Sequence, residues 1–172
     1  RLEAEAVRDS VLQLAGVLNR KMGGPAFMDF VIEKPEHSPH YQYHLHDPMD
    51  PASHRRSIYR FIVRSQQQPF MTILDCADPS LMVGRRNETL TPSQSLALLN
   101  NPFMVAMAKT WGEKLEKGSS DLTHQIRTAY EEATGYKPDP NELNRWKSYA
   151  QKHGLANTCR WMLNMNAFLF VD

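Results

Sequence analysis

The sequence lacks most of the features that would assign a functional class at once. It holds only two cysteines, Cys76 and Cys159, in 172 residues. Two cysteines cannot build a disulfide scaffold, and no C-x-x-C-H run is present to attach a haem. Both are expected as unpaired thiols, although one bridge between them stays chemically open. An excess of charge is missing too: 20 Lys and Arg stand against 19 Asp and Glu, a formal balance of +1. A dedicated nucleic-acid binder carries a strong basic excess, so that class is set aside. No apolar run approaches the roughly 20 residues of a membrane-crossing helix. There is no internal repeat, no low-complexity segment and no complete catalytic set, and no cofactor is expected.

What is present is an ordinary globular composition, 41% apolar. The length suits one domain with a real core, expected over residues 1–172. The chain opens at Arg1 inside a helical pattern, with neither methionine nor signal peptide, which reads as a piece or processed product of a longer protein.

The stretch around which the rest is ordered runs from Gly84 to Gln94 and into the apolar Leu96-Ala97-Leu98-Leu99. Thr91 reads as a helix N-cap, Pro92 as the first helical residue and Gln94 as the reciprocal partner of a capping box. Asp139-Pro140-Asn141-Glu142 repeats the device, Asn101-Pro102 gives an N-cap with proline at the first helical position, and Gly118, Gly135 and Gly154 supply stops. These signals predict successive helices from Pro92 to about Asn164, followed by the apolar tail Phe168-Leu169-Phe170-Val171, which must dock on the core.

The first half is mixed. Val7, Val11, Leu14, Ala15 and Leu18 predict a helix over Arg1–Asn19, with Glu5, Arg8 and Asp9 on its solvated face. The runs Phe27–Glu33 and Tyr41–His46 suggest two short strands joined by a turn over Lys34–Pro39. Ser57–Arg64 fits strand or helix, and its β-branched and aromatic content favours strand. Phe70–Leu74 reads as one helical turn. The expected fold is α+β, mainly α: a small antiparallel sheet in the first half, then a helical bundle.

Three constellations could carry chemistry. On a strand, His44 and His46 would share a face and could reach one metal ion with His54 and Asp47. A polar strand face is the better reading, so no bound metal is expected. Arg55, Arg56, Arg85 and Arg86 could form an anion pocket, since guanidinium forks suit sulfate, carboxylate or phosphate. The favoured alternative pairs these arginines with Asp75, Asp78 and Glu88, locking a loop whose apolar anchor is Leu81, Met82 and Val83. Asp75 and Asp78 as an acid/base pair, or Cys76 as a nucleophile, rank below plain loop structure. Trp111, Trp146 and Trp161 lie on apolar helix faces, where core packing outranks a sugar platform.

Several strings together resemble a family: Arg1-Leu2-Glu3-Ala4-Glu5-Ala6-Val7-Arg8-Asp9, Tyr43-His44-Leu45-His46-Asp47-Pro48, His54-Arg55-Arg56-Ser57-Ile58-Tyr59, Leu74-Asp75-Cys76-Ala77-Asp78-Pro79, and Arg86 to Asn101. The closing Met162–Asp172 resembles that family's end. The family is the planctomycete domain of unknown function found at the C-terminal end of exported, cytochrome-c-linked proteins, and the chain resembles its C-terminal part. The resemblance implies an extracytoplasmic setting and a cytochrome-like neighbouring domain. It supplies no mechanism. The leading expectation is a non-catalytic structural or interaction module of a larger exported protein. Against it stands an enzyme or binding domain for an anionic or polysaccharide-derived ligand, using the arginine-lined loop. A docking surface for the cytochrome-like neighbour is the third reading.

Overall fold

The computed structural model describes residues 1–34, 38–82 and 84–171. The proline-led caps of the second half do what their chemistry requires. Helices α3 (Pro92–Asn100), α4 (Pro102–Gly118), α5 (Leu122–Thr134), α6 (Pro140–His153) and α7 (Leu155–Met162) follow one another with short breaks. Capping boxes close at Thr91 with Gln94 and at Asp139 with Glu142. Asn101 ends α3 and starts α4, its side chain accepting from the Phe103 N–H at 2.9 Å.

Helix α4 is the spine. Its Met104, Met107, Trp111 and Leu115 are buried against Ile126 and Ala129 of α5 and Cys159 and Met162 of α7. A glycine inside a helix costs about 1 kcal/mol relative to alanine. Gly112 stands there because a Cβ at that position would meet the Ala156 backbone at 3.2 Å. The tail forms a further helical turn, α8 (Asn166–Leu169), which buries Phe168; the Leu2 N–H bonds the Leu169 carbonyl at 2.7 Å. Trp111 is fully buried and donates to Glu132 at 2.8 Å, but Trp161 is 48% exposed, against the expectation of a core tryptophan.

The first half holds α1 (Ala4–Leu14), a two-stranded antiparallel sheet of β1 (Val31–Glu33) and β2 (His40–Gln42), and the single-turn α2 (Pro69–Ile73). The register pairs Val31 with Gln42, Ile32 with Tyr41 and Glu33 with His40. Pro35, Glu36 and His37 of the expected turn lie outside the described residues. The fold is thus α+β, mainly α, as the sequence predicts, with three local corrections. Helix α1 stops at Leu14 rather than Asn19, because Gly16 takes a φ of 76°. The strand expected over Tyr41–His46 ends at Gln42, and Tyr43–Leu45 is a 3-10 turn. Ser57–Arg64 is not a strand: Ser57–Tyr59 is a 3-10 turn, and one bridge joins Phe27 to Arg60. There tertiary contacts override propensity, since Asp9 accepts both the N–H and the hydroxyl of Ser57 at 2.8 and 2.7 Å. Among the described residues no helix is long and apolar enough to cross a membrane.

Candidate functional site

The arginines singled out from the sequence do not converge. Arg55 donates to the carbonyls of Pro25 and Gly23 and lies over the Tyr59 ring, 4.3 Å from its centroid. Arg56 is exposed. Arg85 reaches Glu88 at 3.8 Å, with the two side chains 86% and 63% exposed, a geometry that contributes little. Arg86 turns away from Asp75, Asp78 and Glu88. It pairs instead with Glu5 at 2.7 Å and Glu3 at 3.4 Å, both at the start of α1. Burial pushes the Glu5 carboxyl up, but the Arg86 hydrogen bond and charge outweigh it and hold the group below its ordinary range. The pair is about one-third exposed, so Arg86→Ala should cost at most about 1 kcal/mol. A chemical denaturation series checks it, and a much larger loss would restore Arg86 as the lock of the loop.

The loop before α3 is held by Asp75 instead. Its carboxylate accepts from Arg1 Nη2 at 2.7 Å, the Thr89 N–H at 2.8 Å, the Thr89 hydroxyl at 3.0 Å and Gln94 Nε2 at 3.0 Å. Arg1 also donates to the Thr89 carbonyl and to Gln94 Oε1. Asp75 sits at φ 62°, the left-handed region that aspartate tolerates better than most residues. Asp78 closes a local turn onto Ser80, accepting its N–H at 2.8 Å and its hydroxyl at 2.6 Å. The two carboxylates therefore have separate structural duties. Leu81 and Met82 are exposed and anchor nothing, and Val83 lies outside the described residues.

Both cysteines are free thiols. Cys76 points at Glu5 Oε1 across 3.6 Å, and burial together with that carboxylate pushes its thiol above the ordinary value. A thiol held neutral beside a carboxylate is a poor nucleophile. Cys159 is wholly buried, and its thiol is pushed up by burial.

The shared face expected for His44 and His46 does not form. His44 lies in the 3-10 turn after β2 and His46 follows it, so the shared strand face is lost. His54 is 5% exposed, its Nε2 2.9 Å from the Pro48 carbonyl. Among the described residues no three His, Cys, Asp or Glu side chains gather as ligands.

His44 and His46 do line something else: a cavity of about 240 Å³ between α1, the chain after β2, α2 and the start of α4. Its charged residues are Arg8, expected on a solvated helix face, and Asp29. Arg8 is 5% exposed rather than solvated. Its guanidinium donates to the carbonyls of Ser53 and Arg55 and to the Ser57 hydroxyl, and lies 5.0 and 5.5 Å from the ring centroids of Phe27 and Phe103. Burial pulls it down to about 10, so it remains charged at neutral pH. Asp29 is 7% exposed, and its Oδ1 has no hydrogen-bond partner. Burial pushes its carboxyl above the ordinary range, overcoming the pull of Arg60 and Arg8. His46 Nε2 is likewise buried without a partner. Tyr43 lines the cavity, donates its hydroxyl to the Gln66 carbonyl at 2.9 Å, and is pushed up to about 12 by burial and the Asp29 charge. Asp29 Oδ1 and His46 Nε2 are both shielded from solvent, and Arg55 Nε and Asn164 Oδ1 share that condition elsewhere in the fold.

The sequence held a signal for Arg8: it lies four residues after Ala4 and four before Leu12, both buried, and so shares their face of α1. Asp29 is the only charge in Phe27–Ile32, a run that buries Phe27 and Phe30.

Fold and cavity together define a mainly helical α+β domain with a partly open, mainly apolar pocket on its mixed half, with Arg8 and Asp29 in its wall. The model of the PSD1 family, described as a protein of unknown function (DUF1553), matches residues 1–150, and the chain belongs to that family. The match includes every residue of the cavity wall and stops inside α6, so the closing stretch lies beyond it. Neither a curated protein nor a solved structure matches the chain.

Proposed function

We propose that this chain is a non-catalytic binding module of a larger exported protein, and that its ligand is a small polar molecule held in the cavity beside Asp29. The single observation that carries the reading is a cavity of about 240 Å³ whose wall holds two nearly buried charged residues, Arg8 and Asp29. Burying charged side chains costs the fold stability, and a cavity whose wall keeps two of them is the usual mark of a binding site. The arginine-lined loop is the weaker candidate, because Arg55 and Arg86 already have internal partners. The extracytoplasmic setting and the cytochrome-like neighbour rest on the resemblance of the sequence strings. A docking role toward that neighbour draws support from Ile58 and Ile62, 74% and 55% exposed on one surface segment.

The test is a thermal-shift screen of small fragments covering cationic, anionic and neutral polar classes, run on the full chain and on His44→Trp. His44 is exposed on the cavity rim, so a tryptophan there blocks the opening without disturbing the core. Hits that stabilise the wild type and vanish in His44→Trp support the pocket. A screen whose hits persist unchanged in His44→Trp, or that yields none, contradicts it.

A further inference from the structure

We infer that the exposed aromatic face of α6 and α7 is a second binding surface, and that its partner is a polysaccharide of uronic acids lying along α6.

Trp161 stands 48% exposed on α7, where core packing is expected of it. Tyr149 of α6 braces it edge-to-face, the ring centroids 6.3 Å apart and the planes at 75°. His153 lies against Tyr149 in turn, 4.5 Å between centroids and 35° between planes. Rings that hold one another lose little freedom when a partner arrives, and exposed tryptophan and tyrosine carry much of the energy at binding surfaces.

Charge gives the sign of the partner. Arg145, Tyr149 and Lys152 stand at i, i+4 and i+7 and share one face of α6, with the ring between two cations about 10 Å apart along the axis. With Asn144, Ser148 and His153 they line a shallow depression. Among the described residues neither Arg145 nor Lys152 has an ion-pair partner. The one acid on either helix, Glu142, closes the cap of α6 and accepts from the Tyr130 hydroxyl. Arg160 is spent on the Leu99 carbonyl and the Asn100 side chain. Two free cations beside open rings, with no acid in the depression, attract an anion.

The shape of the face selects among anions. The backbone of both helices is bonded internally, so an extended peptide finds no edge to join. The depression holds no aliphatic side chain to receive the apolar face of a partner helix. The overall balance of +1 speaks against a nucleic acid. A sugar ring lays its C–H groups on an aromatic face, and its hydroxyls suit Asn144 and Ser148. A planar carboxylate matches the Arg145 fork with two parallel hydrogen bonds. A run of uronic acids repeats these groups, which fits a face that extends along a helix instead of closing around one molecule.

The experiment is titration of the full chain with polygalacturonate, read by calorimetry and tryptophan fluorescence, with dextran, dextran sulfate, polyglutamate and oligothymidylate as comparators. Polygalacturonate should bind tenfold or more tightly than dextran, and its binding should weaken as salt rises. Trp161→Ala and the double variant Arg145→Ala, Lys152→Ala should each weaken it tenfold or more, with a circular dichroism spectrum like that of the wild type. His44→Trp, on the rim of the cavity, should leave it unchanged, which keeps the two sites distinguishable. Dextran binding as tightly as polygalacturonate overturns the acidic class. Tighter binding of dextran sulfate, polyglutamate or oligothymidylate overturns the uronate assignment in favour of that partner. Binding that survives Trp161→Ala, or no binding at all, overturns the surface itself.

Discussion

Arg8→Met should destabilise the protein by about 3–5 kcal/mol, the cost of removing one member of a buried charge network. For a chain of this size that corresponds to a fall in melting temperature of roughly 10 °C. The reason lies in what Arg8 ties together. From α1 it holds the carbonyls of Ser53 and Arg55 and the hydroxyl of Ser57, and so fixes the irregular segment that closes the cavity. Its charge also offsets Asp29 and Asp9, the latter 3.7 Å away. Methionine fills the stem but leaves two carbonyls and a carboxylate without their donor or counter-charge. Arg8→Lys should recover only a part, because an ammonium cannot spread its donors over three acceptors and two rings as the planar fork does. Urea denaturation of the three proteins checks this. A loss under 1 kcal/mol for Arg8→Met would mean that the segment is held by packing alone.

Asp75→Ala should cost about 2–3 kcal/mol, as expected for a charge-assisted network of mostly buried groups. Asp75 and Arg1 have side chains 12% and 11% exposed, so the pair is shielded well enough for the charge to count. The pH dependence has a definite sign. Burial raises the Asp75 carboxyl, but the Thr89 N–H, Arg1, the Thr89 hydroxyl and Gln94 together outweigh it and hold the group below its ordinary value. The stabilisation is therefore fully present above the unfolded-state value of about 3.9 and is lost as pH falls through the folded one. Asp75→Asn should remove that share of the acid sensitivity while keeping most hydrogen bonds. Melting curves of wild type and Asp75→Asn that run parallel from pH 7 down to pH 3 would contradict the account.

The helical half was legible because its signals are local. A Thr, Asn or Asp followed by proline marks a helix start locally, reinforced at Thr91 and Asp139 by Gln94 and Glu142 at the third helical position. The irregular segments were not, because their conformation is dictated from elsewhere: Ser57 follows Asp9, and the loop before α3 follows Arg1. Grouping the arginines by sequence proximity placed Arg85 with Glu88 but missed the partners of Arg55 and Arg86 for the same reason. Adjacent residues Arg85 and Arg86 face different partners, while Arg86 finds Glu5 some eighty positions away. The cavity was half visible. His44 and His46 attracted notice as a spaced pair, but their true company, Arg8 and Asp29, reads as a solvated helix face and as part of a strand until burial is known.

The central claim is that burying Asp29 costs the fold more than its attraction to Arg60 and Arg8 returns, the balance being recovered by a ligand, and the stability of Asp29→Asn as a function of pH tests it most directly. A carboxyl whose folded value is raised weakens the fold as pH climbs above the unfolded value, and the full cost is reached above the folded one. Asp29→Asn escapes that cost, so it should melt higher than wild type at pH 7, by a gain on the order of 1 kcal/mol. The gain should shrink as pH falls through the folded-state value, where the wild-type group takes up its proton. An Asp29→Asn protein that melts lower than wild type at pH 7 would contradict the claim and make Asp29 the structural counter-ion of Arg8.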